Sequence, residues 1–367
     1  MSEEKKDGFW ERASKQPFVE WFPTKMVAII LVGFAIIIAY GPLGLPLKSE
    51  KTQVGFRGTG MVELTERGAY KAVLATVAAI PEGDTPIEFV EGDPLARDVY
   101  ENVPVLGHLS ADNFNRLMVA VTEWVSPEQG CTYCHTEDGN FASDNIYTKV
   151  VSRRMFQMTQ GINAGWQDHV KATGVTCYTC HRGKNVPAQI WFDEAPVQAG
   201  LLGWRNGQNM ANPRVASASL PSGAFEKYLV GDANIRVISP ETNSDATGMN
   251  IKDAEHTFGL MIHMSTSLGV NCANCHNTRS MNVWEQGPPQ RTTAWYGIRL
   301  VRELNNTYLN PLQPVYPAHR LGPTGDAPKA NCATCHQGVN KPLMGTQMLV
   351  NYPELAAPAP EQQALAN

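Results

Sequence analysis

Four short stretches carry the chemistry of this 367-residue chain. They are Cys131-Thr132-Tyr133-Cys134-His135, Cys177-Tyr178-Thr179-Cys180-His181, Cys272-Ala273-Asn274-Cys275-His276 and Cys332-Ala333-Thr334-Cys335-His336. Together they use all eight cysteines, and every second cysteine is followed by histidine. Two thiols three positions apart reach the two vinyl groups of one haem as thioethers, and the adjacent imidazole then coordinates the iron from one side. Disulfides and zinc knuckles are the competing readings. With nine His in the chain, the chance that His follows all four pairs is about 4 × 10⁻⁷, so disulfides do not explain the pattern. Zinc needs the pairs combined two by two and gives the histidines no role. Four covalently attached c-type haems are expected.

Each iron also needs a second axial ligand, and Met raises the redox potential relative to a second His. Five His remain outside the motifs (His108, His169, His256, His263 and His319) against thirteen Met. Before the first motif, Ser110 can cap a helix with Phe114, Leu117, Met118, Val121 and Val125 on one face. A chain reversal through Ser126-Pro127-Glu128-Gln129-Gly130 lays Met118 over the haem. The third site repeats this design, with Asp253 as candidate cap and Gly269 closing the helix. Met261 and Met264 both qualify there, and His263 points to a different face from Met261. The segment from about Asn145 to Lys171 holds Met155, Met158 and His169. On a continuous helix Met155 and His169 lie roughly 21 Å apart and within about 40° of one face, so one helix can serve two haems, although Gly161 and Gly165 fall between them. For the fourth haem His169 and His319 stay open. His319 precedes His336 by the same 17 residues that separate Met118 from His135, but Pro311, Pro314 and Pro317 place it in a loop.

Around the motifs, a mainly helical chain with long irregular connections is expected. Charged residues are 18% of it, and Gly and Pro number 31 and 25. The formal net charge of −5 gives no argument for nucleic acid. From Met26 to Leu47 run 22 residues without a charge, enough for a membrane span, which takes about 20. Trp21, Phe22 and Tyr40 suit the interfaces. Cleavage of a signal peptide at Ala39-Tyr40-Gly41 is the alternative, disfavoured by the length of the run and by Pro42. Flanking charges barely set an orientation. Covalent haem attachment does, because it occurs outside the bacterial cytoplasm. Residues 1–25 are expected in the cytoplasm, 26–47 in the inner membrane as a single pass, 48–350 in the periplasm, and 351–367 as a disordered tail.

The chain resembles the tetrahaem cytochrome c subunit of purple-bacterial photosynthetic reaction centres over about residues 50–345. The resemblance rests on the four motifs at their spacing, on Thr173-Gly174-Val175-Thr176-Cys177-Tyr178-Thr179-Cys180-His181-Arg182-Gly183, and on Cys335-His336-Gln337-Gly338 followed by Lys341-Pro342-Leu343. It implies proximal ligands His135, His181, His276 and His336, and distal ligands Met118, Met155, Met261 and, for the fourth haem, His169. It implies a fold of two similar halves, about 105–185 and 250–345, joined by a connection over about 186–250. It also implies an electron carrier, not an enzyme, that sits on the L and M subunits, re-reduces the photo-oxidised bacteriochlorophyll pair and is refilled by a soluble periplasmic donor. Unlike some relatives the chain has no Cys before Cys131, so anchoring is expected through residues 26–47. A membrane-anchored tetrahaem quinol dehydrogenase is the alternative, and it favours His as the sixth ligand. A multihaem reductase would need an open iron, which nothing in the sequence marks.

Overall fold

Apolar stripes at helical spacing alternate along this chain with Gly- and Pro-rich turns, and the fold follows that alternation. The computed structural model describes residues 17–40, 49–53, 62–195, 214, 220–237 and 249–357. The chain is mainly helical and forms two compact units, one built on the N-terminal helix and one that contains all four motifs.

The first unit holds α1 (Pro17–Tyr40), with Val27, Ile30, Leu31, Phe34 and Ile37 all exposed. The helix differs from the span expected over 26–47. It starts at Pro17 and ends at Tyr40, and residues 41–48 lie outside the described part. Glu20 and Lys25 fall within it, so its uncharged stretch from Met26 to Tyr40 rises roughly 22 Å at about 1.5 Å per residue. That is short of the roughly 30 Å hydrocarbon core. Among the described residues no helix is long and apolar enough to cross a membrane.

Strands β1 (Ser49–Gln53) and β2 (Val62–Glu66) pair, and α2 (Arg67–Ala78) and the short α3 (Ala96–Val99) follow. The site-bearing unit is then laid out as two runs with one order of elements. The first has α4 (Ala111–Val125), the first motif, α5 (Tyr147–Gly165), the short α6 (Gln167–Val170) and α7 (Cys177–His181) on the second motif. After β3 (Ile190–Trp191) comes the second run: α8 (Ile251–Leu268), the third motif, α9 (Gln290–Glu303), β4 (Lys329–Ala330) and α10 (Cys332–His336) on the fourth motif. Strand β3 pairs antiparallel with β4. In each run the helix before the odd motif packs on the helix of the even one, α4 on α7 and α8 on α10.

Local chemistry explains these boundaries. Ser110 caps α4 by accepting from Asn113 N, and Leu117, Ala120 and Trp124 bury one face. Asn250, not Asp253, is the N-cap of α8. Asp253 sits three residues in and completes the box by accepting from Asn250 N at 3.0 Å. Gly269 ends α8 in the left-handed region (φ 64°), where an added Cβ would meet Gly338 O at 2.1 Å. The continuous helix expected from Asn145 to Lys171 is broken at Trp166 (φ −119°, ψ 33°), directly after Gly165. Met155 and His169 therefore stand on two elements, and Trp166 packs beside Ile162, Leu300 and Leu304.

Two expected boundaries also move. Phe225, Tyr228 and Leu229, inside the supposed connection, are buried in the core of the second run with Trp191, Leu260 and Ile298. Tyr352 and Leu355, inside the supposed disordered tail, are buried in the core of the first run with Leu117, Trp124 and Phe156. Glu354 is buried as well, in an ion pair with Arg116, which also donates to Asn351 O at 2.7 Å. Apolar side chains and a compensated charge fix this segment against α4; residues 358–367 lie outside the described part.

Candidate haem-attachment sites

The second and fourth motifs are single α-helical turns with matching caps. Thr176 N donates to Thr179 Oγ1 at 3.0 Å, and Asn331 N donates to Thr334 Oγ1 at 2.9 Å, each the return arm of a capping box. Both turns end on a left-handed residue, Arg182 (φ 49°) and Gln337 (φ 48°), followed by a left-handed glycine. The glycine N–H groups then close on the preceding long helices, Gly183 N on Trp124 O (2.8 Å) and Gly338 N on Ser267 O (2.7 Å). The two motifs also bond each other reciprocally. Arg182 donates to Cys335 O at 3.3 Å, and Gln337 donates to Cys180 O at 3.2 Å. The first and third motifs have no threonine at the third position and form 3₁₀ turns, Gly130–Tyr133 and Cys272–Asn274.

The histidines are oriented by their own backbones. His181 Nδ1 bonds Lys184 O (2.8 Å), His336 Nδ1 bonds Val339 O (3.0 Å) and His276 Nδ1 bonds Met281 O (3.1 Å). A proton fixed on Nδ1 leaves Nε2 as the metal-binding atom. His135 Nδ1 is buried without a well-formed bond, and its ring lies 4.8 Å from that of Phe141. Burial lowers the pKa of all four imidazoles, that of His336 to about 4, with the neighbouring His169 adding to the effect. The neutral form that ligates a metal is thereby favoured.

Three largely apolar clefts open beside the motifs. Met118 lines one with Cys131, Cys134 and His135. Met155 and Met158 line another with Cys177, Cys180 and His181. The third holds Met261 and Met264 with Cys272, Cys275 and His276. His263 is elsewhere, buried 4.4 Å from the Phe225 ring, where burial and Arg214 lower its pKa to about 4. The bonds of Gly183 to Trp124 and Gly338 to Ser267 set the two long helices in register at an offset of 143, which carries Met118 onto Met261 and not onto Met264.

Around the fourth motif, His169 and His336 have ring centroids 6.0 Å apart. At that separation His169 and His336 would both be available to hold one haem iron. His169 Nδ1 bonds Thr293 O at 2.9 Å, which leaves its Nε2 as the metal-binding atom too. His319 is exposed on the turn Ala318–Arg320. Among the described residues no group of three or more His, Cys, Asp or Glu is placed to hold a bare metal ion. The donor sets, one Cys pair and His with Met or a second His, fit haem.

One contact runs against the sequence reading. Cys180 and Cys335, with Cα atoms 4.5 Å apart, are joined in a disulfide. A sulfur in a disulfide forms no thioether, so that bond and full haem attachment at these two motifs exclude each other. It reflects the back-to-back packing of α7 and α10, which spacing along the chain does not reveal. The other six cysteines are in no disulfide among the described residues, and burial pushes the Cys177 and Cys332 thiols up to about 12.

The chain has relatives among known proteins along most of its length. Residues 44–356 match the family described as photosynthetic reaction centre cytochrome C subunit. The chain is 50% identical to the photosynthetic reaction center cytochrome c subunit of Rubrivivax gelatinosus, over 86% of this chain and 85% of that one. It is 47% identical to the protein of the same description from Thermochromatium tepidum, over 92% and 82%. It is 43% identical to that from Roseobacter denitrificans, over 92% and 98%.

Proposed function

The chain belongs to the photosynthetic reaction centre cytochrome c subunit family, and from that premise we propose that it delivers electrons to a photo-oxidised reaction centre by way of four c-type haems. Bound haem supplies a one-electron iron couple at each motif. The eight motif cysteines would tether the groups as thiols, which for Cys180 and Cys335 requires that the disulfide between them is not formed, and His135, His181, His276 and His336 would hold the irons from one side. Met118, Met155, Met261 and His169 would supply the second donors. The observation that carries this reading is the meeting of His169 and His336 at 6.0 Å, because it gives the fourth motif, which no Met closely precedes, a second donor. With every motif so provided, no coordination position is left for a substrate, as befits a carrier.

The finer assignments extend the same reading. The two runs are two similar halves. The haem-bearing unit faces the periplasm, because covalent attachment takes place there, and it rests on the L and M subunits with a soluble carrier refilling it. Helix α1 is the part of the chain that meets the photosynthetic membrane. Its exposed apolar side chains support this, as do the apolar residues Leu43, Leu45 and Leu47 that follow it in sequence.

Flash excitation of native membranes tests the proposal. A flash is expected to oxidise c-type haem directly, with re-reduction by the soluble carrier. Haem that stays reduced after the flash and turns over only with added quinol would instead establish the quinol dehydrogenase.

A further inference from the structure

Helix α9 departs from α5 at a position that bears on the fourth site. Two matched sets of hydrogen bonds put the helices in register. Asn163 donates to Val175 O (2.9 Å) and Leu355 O (2.7 Å) and accepts from Val175 N (2.8 Å). Asn305 donates to Ala330 O (3.0 Å) and Leu229 O (2.8 Å) and accepts from Ala330 N (2.8 Å). Gln160 donates to Glu354 O (3.0 Å), and Arg302 donates to Tyr228 O (3.2 Å). Both pairs, 163 with 305 and 160 with 302, differ by 142, and that offset carries Met155 onto Gly297. Helix α9 contains no Met.

Gly297 lies inside a helix, where glycine costs about 1 kcal/mol relative to Ala, so backbone conformation gives no reason for it. Space does. A Cβ there would stand 2.6 Å from Cε1 and 2.9 Å from Nδ1 of His169. The ring has little room to retreat, because Nδ1 is bonded to Thr293 O on the same helix and the flanking Trp166 and Val170 pack in the cluster with Leu300 and Leu304.

We propose that Gly297 is the positioning residue for His169: it stands where Met155 stands in the first run, and its missing side chain admits the imidazole from the first run to the iron held by His336. The proposal rests on His169 being the fourth iron's second ligand, and the test separates the two. In the haem-loaded protein, His169→Ala is expected to convert one haem in four from low-spin to high-spin. Gly297→Ala is expected to shift the midpoint potential and low-spin signature of that same haem, leaving the other three and the haem content unchanged. Gly161→Ala on α5, whose Cβ would meet only the Tyr308 hydroxyl end at 2.4 Å, is expected to leave all four potentials as they are. A second variant does not depend on tolerance of the clash. In the His169→Ala background, Gly297→Met is expected to return a sixth ligand, with the weak far-red band of Met-ligated ferric haem gained at that site. If His169→Ala perturbs the haem while Gly297→Ala leaves it as in the parent, if Gly161→Ala shifts it equally, or if Gly297→Met returns nothing, the positioning role is overturned. No effect of His169→Ala would overturn the ligand assignment itself.

Discussion

Between α4 and Lys184 and again between α8 and Val339, the chain uses the same backbone wiring and attaches different chemistry to it. Trp124 and Ser267 receive the glycine N–H that follows an even motif, and Asn163 and Asn305 clamp the residues just ahead of those motifs. The closing segments are exchanged. Tyr228 and Leu229, which follow the first run, seal the second, whereas Glu354 and Leu355, which follow the second, seal the first. Against this shared frame, α5 presents Met155 and α9 presents Gly297. The difference teaches that the placement of the motif turns is held by buried asparagines and caps, while the helix faces beside them are free to diverge.

The exchange predicts the largest effects. Leu229 and Leu355 are both 0% exposed, so Leu355→Ala and Leu229→Ala should each cost about 3 kcal/mol by denaturant unfolding. Hydrogen exchange should then show the loss of protection crossing over: Leu355→Ala loosens α4 and α5, and Leu229→Ala loosens α8 and α9. Loss confined to the run that precedes each leucine in sequence would break the comparison. Asn163→Leu and Asn305→Leu come next, at about 2 kcal/mol each, because each takes the partner from a backbone N–H, of Val175 or of Ala330, and from a buried C=O, of Leu355 or of Leu229. The shared frame requires the two losses to agree within about a factor of two; strongly unequal values would mean that one clamp is incidental.

How much of this was legible in sequence follows from the range of each interaction. The cysteines and proximal histidines are legible because thioether attachment demands a fixed local spacing. The main helices, and Met118 and Met261 on theirs, follow from apolar periodicity. His169 stayed level with His319 on chemistry alone, since its partners Thr293 and His336 are more than a hundred residues away. Asn163 and Asn305 gave no signal, because a buried amide acquires its meaning only from backbone brought to it by the fold. Tyr352 and Leu355 were masked by the surrounding Pro and Ala. One local signal was available and unread: Thr176-x-x-Thr179 and Asn331-x-x-Thr334 are capping boxes that distinguish the even motifs from the odd ones.

Charge around the odd motifs sharpens the comparison with smaller effects. Arg236, Arg291 and Arg299 line the third cleft, whereas Lys149 and Arg153 at the first are balanced by Asp144, at 3.5 and 2.8 Å. A cation beside an iron favours the reduced state, so Arg291→Gln should lower the potential of one haem by an amount on the order of 1 kcal/mol, read by potentiometric titration. Arg153→Gln should do less, because its charge is already compensated.

Asp144→Asn is the smallest and the most specific of these changes. The hydrogen bond from Arg153, helped by Asn102, holds the Asp144 carboxyl down to about 2, against the ordinary 3.8. A carboxyl depressed in the folded state stabilises the fold above its ordinary value, and that contribution is lost as pH falls from about 4 through about 2. Solvent screens the half-exposed side chain, so the effect is small. The parent protein should therefore lose slightly more stability than Asp144→Asn between about pH 4 and about pH 2, measured as the shift of the urea midpoint. Asp144 pairs with Lys149 and Arg153 on α5, so the acid-sensitive protection in hydrogen exchange should lie in α5 and be missing from α9. Equal acid sensitivity in both helices would show that Asp144 does not distinguish the two runs.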